Sequence, residues 1–238
     1  MIINNLIEMH SHIIPGIDDG SRDIEMSLQM IERLKDQGAQ KIVLTPHYYS
    51  DTISLDDFLW QRDAAFNDLL REIPSGYPEL IPAAEVFISP YLFNNESIKD
   101  LCVGNSNYVL IEHPFAARFD EKDYDRLLNL YCDYKVKPIL AHIERYRALM
   151  DDKYKLSDLI EIGCLPQVNV SSFAVAPRRI KKKLFKFLNS GQIMLLGSDC
   201  HNLDSRPPEY EEGINAIIKE SGEEAVTVLM NNAAQLLR

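Results

Sequence analysis

Seven short apolar runs punctuate the chain, at roughly residues 6–10, 41–46, 79–86, 108–112, 137–142, 165–170 and 193–198. They are rich in Ile, Val and Leu and nearly continuous in apolarity, the pattern of strands covered on both faces. Between most of them the spacing changes to that of amphipathic helices. The first has Ser21 as its predicted N-cap, Ile24, Leu28, Ile31 and Leu34 on one face, and Gly38 at its end. A second opens at Ser54 with Asp57 three residues on. A third opens at Asp120 and Asp123, with Leu127, Leu128, Tyr131 and Tyr134 expected to face inward. Pro177 opens a helix through Leu184 and Leu188 that Gly191 closes, and two more segments span about 208–219 and 223–237. The crossover over 88–107 is weak, with a turn or two predicted at Glu96–Leu101.

Strand–helix alternation predicts a parallel sheet with right-handed crossovers. Seven strands allow an open sheet or a distorted barrel. A doubly wound open sheet gathers its chemistry at one switch point, whereas a barrel draws it from every strand end. Here polar residues sit at almost every strand end, so the expected class is α/β, a distorted seven-stranded (βα)7 TIM-like barrel. No internal repeat or linker divides the sequence, and residues 1–238 are expected to form one domain.

The polar residues at those ends are not arbitrary. All six histidines, at positions 10, 12, 47, 113, 142 and 201, lie at or just past the end of an apolar run, and so do Asp19, Glu85, Glu112 and Asp199. His10 and His12 are two apart on a strand and project from one face. Alone, such a pair is more often a surface feature; the rest of the set changes that. His10, His12, His47, His142 and His201 together with the four carboxylates would share one mouth. Crowded carboxylates repel unless cations neutralise them, and nine such side chains suit two or three divalent ions. Mixed nitrogen and oxygen donors without thiolate point to Mn, Fe or Zn rather than Ca or a structural zinc, and the sequence leaves that choice open.

Adjacent ions serve hydrolysis by acidifying water and stabilising charge on attacking and leaving oxygens. Arg145 follows His142 by three residues and Arg206 follows His201 by five. A planar guanidinium matches two phosphoryl oxygens, so a phosphate-bearing substrate is expected. Cys200 and Arg206 also have the Cys-x5-Arg spacing of thiol-based phosphatases. The intervening HNLDS lacks glycine and Asp199 raises the thiol pKa, so the spacing is read as coincidence.

Composition narrows the partners. The chain has 238 residues, 46% of them hydrophobic, and a net charge of −11. That charge argues against a nucleic-acid backbone and requires local cations to capture an anionic substrate. No apolar stretch is long enough for membrane insertion, the N-terminus lacks a signal pattern, and four widely spaced cysteines suggest reduced thiols; a cytoplasmic location is expected. The basic run Arg178–Lys183 reads as a solvated helix face, with a docking patch as the sharper alternative. Tyr48, Tyr49, Phe87, Phe115, Phe119 and Phe173 fall near the rim, most of them expected to pack rather than bind.

The segments MHSHIIPGIDDGSRD, LTPHYY, PAAEVFI, LIEHPF, PILAHIERY, QVNVSS and GSDCHNLDSRPP resemble, in order, those of the PHP (polymerase and histidinol phosphatase) superfamily. The likeness is nearer to the CpsB-type protein tyrosine phosphatases of bacterial polysaccharide operons. It implies the PHP-type barrel and a centre of up to three divalent metals, usually Mn2+. His10, His12, Glu85 and Asp199 would hold one ion; Glu85, Glu112 and His142 a second; Asp19, His47 and His201 a third. Arg145 and Arg206 would contact phosphate, a metal-bridging hydroxide would attack phosphorus in line, and His201 is one candidate general acid. The implied substrate is a phosphotyrosine protein, the tyrosine-rich tail of a bacterial membrane tyrosine kinase, and the implied role is control of capsule or exopolysaccharide synthesis and export. Histidinol phosphate or another small monoester is the alternative within the superfamily, and an amidohydrolase-type hydrolase the alternative outside it. His113, beside Glu112, has no counterpart in the pattern; it is expected to pack behind the site, with contact to substrate as the alternative.

Overall fold

A computed structural model describes residues 2–95 and 97–238, so the Glu96 end of the turn expected at 96–101 lies outside the described residues. The strands are β1 (Leu6–Ser11), β2 (Ala39–Leu44), β3 (His47–Tyr48), β4 (Glu79–Pro82), β5 (Glu85–Phe87), β6 (Tyr108–Glu112), β7 (Lys137–Leu140), β8 (Leu165–Asn169) and β9 (Leu195–Gly197). The α-helices are α1 (Ile24–Asp36), α2 (Leu55–Glu72), α3 (Glu121–Cys132), α4 (Arg147–Asp151), α5 (Lys153–Glu161), α6 (Ser172–Val175), α7 (Arg178–Asn189), α8 (Glu211–Ser221) and α9 (Glu223–Leu236).

All strand pairs are parallel, in one sheet ordered β1-β2-β4 and another ordered β3-β5-β6-β7-β8-β9. Two predicted strands, 41–46 and 79–86, are each broken in two. Pro46 and Pro82 stand at the breaks, where a missing N–H interrupts the ladder. Ala83 N–H to Leu44 carbonyl (2.9 Å) and Glu85 N–H to Pro46 carbonyl (3.0 Å) carry the pairing through. At the far edge Ser11 bridges Cys200, with His12 N–H donating to the Cys200 carbonyl and Asp199 N–H to the His10 carbonyl. The result is a barrel-like α/β fold.

Register places the core beneath the polar ends. Glu85, Leu110 and Ile139 lie side by side across β5, β6 and β7, with Leu165 of β8 opposite Ile139, and registered neighbours in parallel strands share a face. Leu110 and Ile139 belong to a buried apolar cluster with Ile7, Met9, Val43, Ile81 and Leu195, closed by Ala233 and Leu236 of α9. A larger cluster packs the helices on the outer face, and no helix among the described residues is long and apolar enough to cross a membrane.

Local expectations fared unevenly. Ser54 caps α2 and accepts from Asp57 N–H, and Asp120 with Asp123 forms a reciprocal capping box on α3. Pro177 precedes α7 and Gly191 follows it with φ +72°. Ser21, however, does not cap α1. Its hydroxyl is buried against the Asp23 carbonyl and Ser27, and Asp23 caps instead through Met26 N–H. On α3 the buried residues are Leu127 and Leu130, while Leu128 and Tyr131 are exposed; the inward stripe is narrower than the apolar residues suggested. The weak crossover holds two 3-10 helices, Pro90–Asn94 and Ile98–Leu101.

Candidate metal centre

Each strand end delivers its polar side chain to one mouth. Three groups of ligating atoms lie close together: His10, His12, Glu85 and Asp199; His12, Asp19, His47 and His201; and His47, Glu85 and Glu112. The first is the set expected from the sequence. The third-ion set of Asp19, His47 and His201 is gathered with His12 added. For the second, His47 stands where His142 was expected, although His142 Nε2 is 2.9 Å from Glu85 Oε1 and 3.4 Å from Glu112 Oε1.

The first group has the spacing of a coordination shell. His10 Nε2 and His12 Nε2 are 3.2 Å apart, each 3.2 Å from Glu85 Oε2 and 3.5 and 3.4 Å from Asp199 Oδ1. Four donors at about 2.1 Å around a tetrahedral ion stand roughly 3.4 Å apart, so these residues fit a divalent cation. Glu85 Oε2, His47 Nδ1 and His201 Nε2 are buried and, although other ligand atoms lie within 3.1–3.3 Å, none makes an aligned hydrogen bond, as donors aimed at a cation would not.

The imidazoles are oriented from behind. His12 Nδ1 meets Asp18 Oδ2 at 2.7 Å, His201 Nδ1 the Asp199 carbonyl at 3.0 Å, and His10 Nδ1 Gln167 Oε1 at 3.3 Å. Each partner is an acceptor. Gln167 Oε1 also accepts from His142 N–H, which fixes the amide orientation. In the neutral ring the proton therefore sits on Nδ1 and the Nε2 lone pair faces the mouth. Asp18 further accepts from His47 N–H and Gly20 N–H. At Gly20 a Cβ would fall 2.2 Å from the His12 carbonyl, so only glycine lets this loop lie against the strand. Two members of the site, His142 (φ +32°) and Asp199 (φ +56°), have left-handed backbones, strain of a kind that collects where side chains must be aimed.

Charge alternates through the cluster. Burial opposes ionisation throughout, yet Asp18, Asp199 and Glu85 hold the His12 pKa well above its usual range, while His12 takes Asp18 down to about 2. Burial again opposes protonation of His142, but Glu112 and Glu85 raise it to about 9. His201 goes the other way, to about 4, because burial is joined by repulsion from His12 and Arg206. Protons held this way are those a cation displaces on binding.

Arg145 Nη2 and Arg206 Nη2 approach the two oxygens of Asp199 at 2.5 and 2.6 Å, and Asn169 Nδ2 donates to Oδ2 at 2.9 Å. Both guanidinium groups remain partly exposed towards a cavity of about 360 Å³ lined by Tyr49, Phe87, Phe115, Glu112 and His113. Of the aromatic positions near the rim, Tyr49, Phe87 and Phe115 face this cavity, whereas Tyr48, Phe119 and Phe173 are core. A larger cavity, about 700 Å³, is lined by residues such as Arg62, Pro82, Gly104 and Arg238 and touches none of these groups.

His113 belongs to none of the three clusters. Its ring packs on Phe119 and Tyr146, both nitrogens are buried without partners, and burial with the Arg126 charge lowers its pKa to about 3. A neutral ring with no polar partner is replaceable. His113→Phe should leave kcat/KM within about three-fold and stability within about 1 kcal/mol. A loss of two orders of magnitude with unchanged melting would show that His113 meets substrate.

The sequence reading missed Asp18, Glu8, Gln167 and Asn169. Glu8 is fully buried and accepts from His10 N–H and Ser198 N–H. Gln167 and Asn169 alternate on β8 as His10 and His12 do on β1, and polar residues at i and i+2 in a buried strand were the available signal.

A family profile described as "Capsular polysaccharide synthesis, CpsB/CapC" matches residues 6–238. The tyrosine-protein phosphatase CpsB of Streptococcus agalactiae is 29% identical over 241 residues, covering 98% of each chain. Among solved structures, the chain is similar to one from a study of YwqE from Bacillus subtilis and CpsB from Streptococcus pneumoniae, described there as unique metal-dependent tyrosine phosphatases. The TM-score is 0.82 at 26% identity, over 98% of this chain and 94% of that one. A phosphotriesterase homology protein from Escherichia coli, complexed with phosphate in its active site, shares the fold at TM-score 0.60 and 10% identity over 98% of both chains.

Proposed function

The chain belongs to the CpsB/CapC family of capsular polysaccharide synthesis, and from that premise we propose that it is a metal-dependent tyrosine-protein phosphatase. The observation carrying this reading is the tetrahedral spacing of His10, His12, Glu85 and Asp199 beside two arginines at one cavity. With each proline-interrupted pair taken as one strand, the proposed architecture is a seven-stranded (βα)7 barrel forming one phosphatase domain over 1–238.

His10, His12, Glu85 and Asp199 would hold one ion, and Asp19, His47 and His201 another with help from His12. Glu112 and His142 would complete a third site with Glu85. Mn2+ is the proposed metal, with Fe or Zn as alternatives that the same nitrogen and oxygen donors accept. Bound divalent ions acidify water and offset phosphoryl charge. The chain's own residues do the positioning. Arg145 and Arg206 approach the Asp199 carboxylate from two sides, and the same guanidinium groups are proposed to bind the phosphoryl oxygens. Tyr49, Phe87 and Phe115 offer an aryl-lined wall to the phenol ring. A phenolate, with a parent pKa of about 10, leaves without a strong general acid. The low pKa of His201 therefore suits a ligand better than a proton donor.

The finer proposal for substrate is phosphotyrosine in the tail of a membrane-anchored bacterial tyrosine kinase, met in the cytoplasm, with polysaccharide export as the regulated outcome. The relatives' names support phosphotyrosine and the family description supports the polysaccharide link; the kinase tail and the cytoplasmic setting rest on the family resemblance.

The test is to strip the protein with chelator and restore Mn2+, Fe2+ or Zn2+. Release of phosphate is then compared from phosphotyrosine peptide, histidinol phosphate and a dihydroorotate-type amide control. Peptide hydrolysis should vanish on stripping and return with metal. Cys200 is fully buried and its thiol pKa pushed up, first by burial and then by Glu8. Cys200→Ser should accordingly retain turnover within about three-fold. Activity that survives stripping but dies with Cys200→Ser would reverse the assignment.

A further inference from the structure

Outside the metal centre, charge is most unevenly distributed on α7. Six of the chain's 25 Lys and Arg residues fall within its 12 positions, which hold no Asp or Glu, in a protein of net charge −11. Its inner face is anchored by Leu184, Phe187 and Leu188. Its outer face carries Arg178, Lys182 and Lys186, exposed at successive i, i+4 positions. A neighbouring stripe, Arg179 and Lys183, reaches Asp151 at the end of α4, and Arg147 at the start of α4 reaches the same carboxylate. Three cations thus share one anion. They hold the Asp151 pKa down at about 2, Lys183 and Arg147 foremost through hydrogen bonds, and leave surplus positive charge.

Through Asp151, Arg147 ties this surplus to the segment that carries Arg145. Arg147 lies two residues beyond Arg145, whose guanidinium meets Asp199. The first turn of α7 follows shortly after the end of β8, where Asn169 meets the same Asp199. A chain whose phosphate sits against Arg145 and Arg206 would therefore run its flanking residues over Arg147 and α7. Elsewhere the acidic protein repels such a chain, so local attraction here would set which phosphorylated segments are accepted.

Building on the phosphatase reading above, we propose that Arg147 and the exposed face of α7 form a docking strip for acidic residues flanking the phosphotyrosine. The enzyme then selects phosphotyrosine in an acidic polypeptide context.

Two phosphotyrosine peptides, one flanked by Asp and Glu and one by Gln and Ala, test this alongside p-nitrophenyl phosphate, using metal-loaded protein. The wild type should favour the acidic peptide by about 10-fold in kcat/KM, carried by KM and fading with added salt. Arg178→Gln/Lys182→Gln/Lys186→Gln should erase the preference while leaving p-nitrophenyl phosphate turnover within about two-fold. Equal wild-type turnover of both peptides, or equal loss on the small ester, overturns the proposal. So does triple-variant-sensitive sedimentation with phosphatidylserine vesicles in the absence of peptide selectivity, which would assign the strip to a membrane surface. If the wild type releases no phosphate from any ester, the phosphatase reading itself fails and takes this one with it.

Discussion

Glu85→Gln lowers kcat/KM towards phosphotyrosine peptide by about 10³-fold or more and removes divalent metal from the purified protein, as read by elemental analysis. Glu85 faces four imidazoles of the centre. Its Oε2 lies 3.2 Å from His10 and His12 and 3.1 Å from His47, while Oε1 lies 2.9 Å from His142. Glutamine keeps the shape and one acceptor oxygen but loses the charge that would bridge ions. Losing several kcal/mol of charge stabilisation corresponds to that rate factor. The amide fits the space but no longer pairs with the protonated rings of His12 and His142, so the stripped variant should melt below the stripped wild type. Full activity with full metal content in the variant would remove Glu85 from the centre and with it the ligand scheme.

Arg145→Ala lowers kcat/KM by about 10²- to 10³-fold, the usual size for losing a preorganised group aimed at developing charge. Metal content should hold, because Arg145 reaches Asp199 through the carboxylate's outer oxygen, Oδ2, whereas His10 and His12 face Oδ1. Arg145→Lys should recover only part of the loss, since an ammonium cannot present two parallel N–H groups. Arg206→Ala should lower turnover alike but is expected to alter metal content too, because Arg206 meets Oδ1, the oxygen that His10 and His12 face; the double variant should fall short of the summed losses if both guanidinium groups hold one phosphoryl group. Loss of metal in Arg145→Ala, with turnover restored by excess Mn2+, would instead make Arg145 a support for Asp199.

How much of this was legible beforehand differs by kind of residue. Caps followed from local chemistry where the side chain had one available use. Ser54 and Asp120 cap because their side-chain contacts all lie within the first turn of their own helix, whereas Ser21 was diverted by Ser27 and left the role to Asp23. The inner stripe of α3 was misjudged because apolar periodicity shows a face and not its width, and Leu128 and Tyr131 fall beyond what the sheet covers.

The histidines and carboxylates at the strand ends were legible for a stronger reason. In parallel strands every C-terminal end must arrive on one side, so ligand-type residues confined to those ends are bound to converge whatever the details of packing. The sequence by itself therefore determined the parallel α/β character, the identity of the polar set and the kind of chemistry it suits. Tertiary structure alone decided how the set is partitioned. It placed His12 between two groups, put His47 beside Glu85 and Glu112, and buried Asp18 behind His12 while Asp19, its neighbour, stays exposed at the mouth. Adjacent residues of one turn point opposite ways, and ångström-scale distances between groups dozens of positions apart depend on strand stagger and backbone twist. Neither is written in the order of residue types.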